Sequence, residues 1–306
     1  MTSEYPLVTV VIPAYNRAHS IGAAVQSAIS QDYPNVEVIV VDDGSTDGTS
    51  EAVAAIANPA VRCIRQANSG ANVARNRGIS EAQGEYIALL DSDDTFLPGH
   101  ISRSIRHLEK NPGSAVFSRI VVDRGSNRKF LKPPRAPKEG EPISEYLSCA
   151  AGFVQTSTVV IRTETARTAR YLEWLPYGQD VDFAIRVERA GYRWHMINDP
   201  GAVWNDVKSG SRISARTDPA VRLRWAEEAQ PLLTKKALRG FKGWRVAKAY
   251  AEHGQTLKGL TLWLEAAVTG TYAPKHAAIV FLQVALANGW YRKVADVGVG
   301  LRSSKK

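Results

Sequence analysis

Cysteine is scarce in this chain: Cys63 and Cys149 are the only two in 306 residues, far apart and without a metal-ligand spacing. That excludes a disulfide framework and a structural zinc site, and it predicts two reduced core thiols in a cytosolic protein. Long apolar runs are missing as well, since no window reaches the roughly 18 apolar residues of a simple spanning helix. The nearest stretch, residues 277–290, is interrupted by Gln283 and Asn288 and reads as a buried or interfacial helix. The opening Met1-Thr-Ser-Glu-Tyr-Pro6 has no basic stretch leading into an apolar segment, so no secretory signal is expected.

A hydrophobic content of 44% is ample for one large domain or two ordinary ones. The net charge of +9 is unevenly spread: residues 207–306 carry 18 basic and 6 acidic side chains, +12, which leaves -3 for residues 1–206. The front of the chain therefore does not resemble a nucleic-acid binder. The basic end is either a solvated face or a contact for an anionic membrane surface.

Hydrophobic periodicity alternates between strand and helix. Strands are expected near residues 8–12, 36–41, 62–65, 85–90, 115–122, 157–161 and 191–197. Helices are expected near 20–30, from Asp47 to 57, over 71–81, from Pro98 as first helical position to 108, over 142–150 and from 178 to 189. Residues 124–142, rich in charge, Pro and Gly, read as an irregular insertion, either an exposed loop or a segment that folds over substrate. Residues 218–300 read as helical.

Three apolar strands end in polar clusters: Pro13-Ala-Tyr-Asn16, Asp42-Asp-Gly-Ser45 and Asp91-Ser-Asp-Asp94. In open α/β sheets the carboxyl ends of strands share one crevice, where loops and helix amino termini meet a ligand. Asp91 and Asp93, two apart, can converge as hard oxygen ligands for Mg²⁺ or Mn²⁺ with a diphosphate. Asp94 reads as a capping or turn residue. Asp42 and Asp43 can accept from a nucleobase N–H or simply shape the turn. Arg75 or Arg77 can reach an anion, but their spacing keeps them off one helix face. Asn76 either orients sugar or phosphate oxygens or satisfies its turn. Asp180, at a helix beginning that favours its ionised form, is the general-base candidate and can cap that helix, with Asp182 as its orienter, a cap or an alternative base. Lys208 and Arg212 flank a glycine and are clamp candidates for a diphosphate. Trp174, Trp194 and Trp204 are candidate sugar platforms.

The ordered motifs Pro13-Ala-Tyr-Asn16, Val41-Asp-Asp-Gly-Ser-Thr-Asp-Gly-Thr49, Ala74-Arg-Asn-Arg-Gly78, Leu90-Asp-Ser-Asp-Asp94 and Gly178-Gln-Asp-Val-Asp-Phe183 resemble the family 2 glycosyltransferases of the GT-A fold, over about residues 6–215. The resemblance implies an α/β fold with a central, mostly parallel sheet that binds a nucleotide-diphosphate sugar; the helical C-terminal extension comes from the pattern of residues 218–300, which the resemblance does not cover. Residues 1–215 would form the transferase domain and 216–306 a basic accessory region for a membrane or partner.

It implies an inverting, metal-dependent transferase of bacterial polysaccharide assembly. The sugar nucleotide, most often uridine-linked, would be the donor and a saccharide or lipid-linked saccharide the acceptor. Such an enzyme would work in the cytoplasm, peripheral to the inner membrane, with its oligomeric state left open. By the same resemblance Pro13, Ala14, Tyr15 and Asp43 contact the donor base, Asp91 serves the ribose or metal, Asp93 is the direct metal ligand and Asp180 the base. The chain departs from many relatives in having Gln179 for a glutamate, and Asn205-Asp206 where a histidine is common. The rival readings are a sugar-phosphate nucleotidyltransferase and a noncatalytic sugar or membrane scaffold.

Overall fold

The computed structural model describes residues 5–125, 129–206 and 218–286. Contacts divide the chain into two units: Met1–Ile143 with Phe153–Gly210, and Ser144–Gly152 with Ser211–Lys306.

The first unit opens with β1 (Val8–Ala14), α1 (Ile21–Ile29), β2 (Val36–Asp42), α2 (Thr49–Ala54), β3 (Val61–Arg65), α3 (Ala71–Glu81) and β4 (Tyr86–Leu89). It continues through β5 (Thr95–Phe96), α4 (His100–Lys110), β6 (Ser114–Asp123) and β7 (Lys129–Lys132). After α5 (Ile143–Cys149), most of which belongs to the second unit, come a 3₁₀ turn (Thr156–Thr158), β8 (Val159–Arg162), α6 (Thr163–Ala169), α7 (Gln179–Arg189) and β9 (Arg193–Asn205).

The strands form one sheet in the order β3-β2-β1-β4-β8-β6-β9-β5, with β7 paired to β6. From β3 to β4 every pairing is parallel. Beyond β4 the sheet is mixed, because β8 runs antiparallel to both β4 and β6 while β9 runs parallel to β6. Parallel strands buried on both faces need continuous apolar sequence, and all seven residues of β1 are buried. Val8, Val10 and Ile12 cluster with Ile21, Ala24, Val25 and Ala28 of α1, each buried valine or isoleucine contributing about 1.5–3 kcal/mol. On the other face α3 approaches β1 so closely that a Cβ at Gly78 would collide with Val11.

The register aligns the strand ends. Ala14 pairs with Asp42 and Asp42 with Arg65, while Leu89 pairs with Val11. The residues that follow β1, β2 and β4 thus leave the sheet at one edge.

Several expected boundaries shift. Residues 124–142 are not all irregular: β7 pairs antiparallel with β6, and Arg135 grips Glu141 through two bonds of 2.6 and 2.7 Å. The last strand does not stop at residue 197. It runs on past Pro200, where the missing N–H coincides with a register irregularity, and ends at Asn205. Helix α4 begins at His100, two residues after Pro98. Gly178, with φ of 83°, takes the cap position expected of Asp180; Gly48, also at 83°, precedes α2, where the neighbouring Asp47 accepts from Thr49 N at 3.1 Å. Of the two free cysteines, Cys149 is buried and Cys63, on edge strand β3, is exposed, so only one is a core thiol.

Among its described residues the second unit is helical: α8 (Pro219–Glu228), α9 (Lys235–Phe241), a π-helical stretch (Lys242–Val246), α10 (Ala247–Glu252), α11 (Thr256–Val268) and α12 (Pro274–Ala285). Asp218 caps α8 by accepting from Ala220 N at 2.8 Å. Trp244, Ala247, Ala251, Ala266, Tyr272, Val280 and Val284 form its core. Residues 287–300, also expected as helix, lie outside the described residues. No helix among the described residues is long and apolar enough to cross a membrane.

Candidate active site

The turn after β2 uses its acids for scaffolding. Asp42 is fully buried; its Oδ1 accepts from Ser45 N at 2.9 Å and its Oδ2 from Ser50 Oγ. Asp43 accepts from Gln66 Nε2, Ser69 N and Gly70 N at 2.8, 2.9 and 2.8 Å, which ties the 66–70 loop to the sheet edge. Asn16 joins the turn after β1 to this one, donating its N–H to Ser45 Oγ and accepting from Thr46 N, both at 2.9 Å. Pro13 and Ala14 are buried beneath, and Tyr15 exposes its ring.

Helix α3 supplies Arg75, whose Nη2 lies 2.6 Å from Asp91 Oδ1. Nη1 donates to Asn72 Oδ1 at 3.2 Å, and the guanidinium lies 5.2 Å from the centre of the Tyr171 ring. Burial opposes the charge on Arg75, but Asp91, with Tyr171 and Asp180 behind it, raises the arginine pKa further above its ordinary value. Arg77, on another face, pairs with Glu81 at 2.7 Å. Asn72 and Asn76, one turn apart, clamp the segment before α7: Asn72 donates to the carbonyls of Leu172 and Leu175, both at 2.8 Å, and Asn76 to that of Tyr171 at 2.9 Å. Asn76 is thereby occupied by its own scaffold.

Asp180 stands in the first turn of α7, one residue inside its start, and accepts from the hydroxyl of Thr156 rather than capping the helix. Desolvation, then repulsion from Asp91, pushes its pKa up to about 6 against the lowering effects of Thr156 and Arg75. The helix amino terminus alone predicts the opposite direction; burial outweighs it. Asp182 is buried in an ion pair with Arg186 at 2.7 Å. Gln179 donates to Pro176 O at 3.3 Å and sits at the surface.

The cluster after β4 divides its labour. The Asp93 side chain is 50% exposed, 3.8 Å from Arg17 Nη2. Asp94 is 1% exposed, accepting from Ser157 Oγ at 2.7 Å, Gln155 Nε2 at 2.9 Å and Asn205 N at 3.2 Å, so it locks the 3₁₀ turn and the end of β9 to the strand end. Burial and the nearby Asp91 push the Asp94 pKa well up. Asn205 donates to the Asp93 carbonyl at 2.6 Å, and Asp206 pairs with Arg124 at 2.9 Å.

Asp91 and Asp93 present hard carboxylate oxygens of the kind Mg²⁺ or Mn²⁺ takes, though Asp91 already holds Arg75. Among the described residues no three His, Cys, Asp or Glu gather as a metal cage. The donor set fits an ion held by one or two carboxylates and completed by substrate phosphates and water.

The structure thus joins Arg75, Asp91 and Asp180 in one polar cluster, with Asp93 and Asp94 on the adjoining turn. Pro13, Ala14, Tyr15, Asp42 and Asp43 lie on the neighbouring strand ends. Lys208 and Arg212 lie outside the described residues. Trp194 donates to Ala184 O at 2.8 Å and Trp204 stacks on Phe153 at 5.8 Å, while Trp174 is half-buried. Gln155, Thr156, Ser157 and Tyr171 were not singled out by the motifs. A run of polar residues directly before an apolar strand was the one signal for the first three, and Tyr171 had none.

Residues 9–170 match the family model described as Glycosyl transferase family 2. The amylovoran biosynthesis glycosyltransferase AmsB of Erwinia amylovora is 30% identical over 263 residues, 82% of this chain and 86% of that protein. The Escherichia coli enzyme WfaP, named UDP-Glc:alpha-D-GlcNAc-diphosphoundecaprenol beta-1,3-glucosyltransferase, is 39% identical over 119 residues, 39% of this chain and 47% of its own. WfaP is one of several longer relatives of which the chain spans about a third to a half. Among solved structures, Staphylococcus aureus TarS 1–349 in complex with UDP-GlcNAc superposes with a TM-score of 0.68 over 95% of this chain and 90% of that one, at 20% identity, a likeness of fold.

Proposed function

Because the chain belongs to glycosyl transferase family 2, we propose that it moves a sugar from a UDP-linked donor to a saccharide or lipid-linked saccharide acceptor, with inversion, in polysaccharide biosynthesis. The observation that carries this reading is the cluster of Asp180, Thr156, Asp91 and Arg75, in which a fixed, partly desolvated carboxylate stands beside a charge-balanced strand end. The uridine donor is supported by the names of WfaP and of the TarS complex, and the lipid-linked acceptor by that of WfaP.

The acceptor hydroxyl oxygen attacks the anomeric carbon from the face opposite the diphosphate. Its proton passes to the Asp180 carboxylate, and the C1–O bond breaks with its electron pair leaving on the nucleoside diphosphate. A single displacement inverts the anomeric centre. A pKa near 6 keeps Asp180 ionised at neutral pH yet basic enough to take the proton. Asp93, with Asp91, would hold a Mn²⁺ or Mg²⁺ ion, which when bound supplies positive charge to the donor diphosphate. Arg75 keeps Asp91 aligned and offsets its charge.

In this reading Pro13, Ala14, Tyr15 and Asp43 frame the base, while Asp42 shapes the turn they stand on. Lys208 and Arg212 are assigned to the diphosphate. The first unit is the transferase domain and the second an accessory region, at the cytoplasmic face of the membrane that carries a lipid-linked acceptor.

Calorimetric titration with a panel of nucleoside diphosphates and sugar nucleotides, with and without Mn²⁺, tests the donor. Metal-dependent selectivity for uridine compounds supports the reading, and an absence of nucleotide binding by folded protein removes it. Release of a nucleoside diphosphate marks sugar transfer, whereas pyrophosphate would mark a nucleotidyltransferase.

A further inference from the structure

Helix α11 has apolar residues on both of its faces. Gly259 and Ala266 are buried against the core of the second unit, yet on the opposite side Leu257, Leu264 and Val268 are 83%, 52% and 73% exposed. Their spacing of seven and four residues puts the three on one stripe, with Thr261 between them. An apolar stripe left exposed marks a contact surface, and the described residues leave this one uncovered.

Helix α12 also exposes apolar side chains. Trp263 donates to Ala277 O at 3.0 Å, and its ring lies 4.9 Å from that of Phe281, which with Leu282 is exposed at about two-fifths. The hairpin therefore exposes Leu257, Leu264 and Val268 on α11 and Phe281 and Leu282 on α12. Lys258, whose Nζ lies 4.2 Å from the centre of the Tyr250 ring, follows Leu257, and Lys275 stands in the first turn of α12, against one exposed acid on the hairpin, Glu265. The wider region carries +12 over residues 207–306. At about 1.5 Å per residue neither helix reaches across the roughly 30 Å of a bilayer core. An apolar stripe edged by lysines suits a helix lying in the plane of an anionic interface.

We propose that the exposed face of the α11–α12 hairpin is a docking surface for an anionic lipid bilayer, with Leu257, Leu264, Val268, Phe281 and Leu282 entering the interface and Lys258 and Lys275 meeting headgroup phosphates. This rests on the reading of a lipid-linked acceptor for its purpose, since such an acceptor is presented at a bilayer, but the surface stands on its own geometry.

The test is sedimentation of the full chain with vesicles of phosphatidylcholine alone or with one-third phosphatidylglycerol, without donor or acceptor, so a failed transferase reading does not alter the result. The wild type is expected to pellet with the anionic vesicles. The triple variant Leu257→Glu, Leu264→Glu, Val268→Glu, checked for folding by circular dichroism, should partition roughly a hundredfold more weakly. Lys258→Glu with Lys275→Glu should lose the preference for anionic lipid while keeping the apolar face. The proposal is overturned if the wild type stays in solution with both vesicles, or if the triple variant pellets as the wild type does. It is equally overturned if sedimentation velocity shows that the face joins two copies of the chain that dissociate in the triple variant and bind no vesicle.

Discussion

The hydroxyl of Thr156 donates to the carboxylate of Asp180, linking the 3₁₀ turn before β8 to the first turn of α7. The other charged or titratable neighbours are Asp91 and Arg75, with the buried Tyr171 phenol, its own pKa raised chiefly by desolvation. Thr156 is thus the short-range donor that favours the ionised base where burial and Asp91 disfavour it.

The pH dependence of turnover should report this balance. With Asp180 titrating at about 6, kcat/KM of the free enzyme should fall about tenfold per pH unit below that value and level off above it. Thr156→Val removes the donor and should move the inflection up by about one to two units, given the roughly 1.5–3 kcal/mol of a hydrogen bond to a charged group. Activity lost at neutral pH should return at higher pH, and Thr156→Ser should restore the wild-type profile. An unmoved inflection would show that the hydroxyl does not act on the base.

Asp180→Asn should abolish transfer and stabilise the protein. The folded pKa of about 6 lies above the unfolded value, so the native state resists losing the proton that the unfolded chain gives up. No cost exists below about pH 4, where both states are protonated; it grows through the interval and is complete above about pH 6. Its size is up to about 3 kcal/mol at neutral pH. Chemical denaturation of both proteins at acid and neutral pH checks this: the gain should be present only at neutral pH.

Much of the fold was legible because β1, β4 and the second half of β2 are buried and read as apolar runs, broken in β1 only by Thr9. The acids at their ends stood out for the same reason, as charges directly after buried strands. The turn holding Gln155, Thr156 and Ser157 was not legible. Its residues are short and polar, and they are buried only because Asp94, Asp91 and Asp180, 24 to 64 positions away, come to meet them. Asn72 and Asn76 were obscure likewise, since an asparagine on a helix signals nothing until the carbonyls it clamps, about 100 residues on, are in place. β7 was hidden by the charged and proline-rich residues around it, which local propensity counts against a strand; pairing with β6 decided otherwise.

Arg75→Lys should not behave as a conservative change. The guanidinium bonds Asp91 and Asn72 at once and lies over the Tyr171 ring, and an ammonium cannot reproduce that planar fork. A loss of about 1–3 kcal/mol of stability is expected, with nucleotide binding weakened because Asp91 loses its fixed orientation. Thermal melting and calorimetry on one preparation separate the two effects. Binding that stays intact in a destabilised variant would confine Arg75 to the scaffold.

Asp93 and Asp94 are neighbours with opposite demands, and substituting each separates binding from architecture. Asp93 is half-exposed with Arg17 at 3.8 Å, so Asp93→Asn should change stability by less than about 0.5 kcal/mol. If its carboxylate holds the ion that meets the diphosphate, the Mn²⁺-dependent part of nucleotide affinity should vanish, leaving the variant with the metal-free affinity of the wild type. Asp94→Ala, by contrast, removes the buried acceptor of Ser157 Oγ, the acceptor of Asn205 N and the best of the acceptors of Gln155 Nε2, and should cost about 2–4 kcal/mol whether or not metal is present. Calorimetry with and without Mn²⁺, paired with melting curves, distinguishes the two. Retained metal dependence in Asp93→Asn would move the cation site away from this strand end, and a stable Asp94→Ala would mean that the turn is held by the remaining contacts alone.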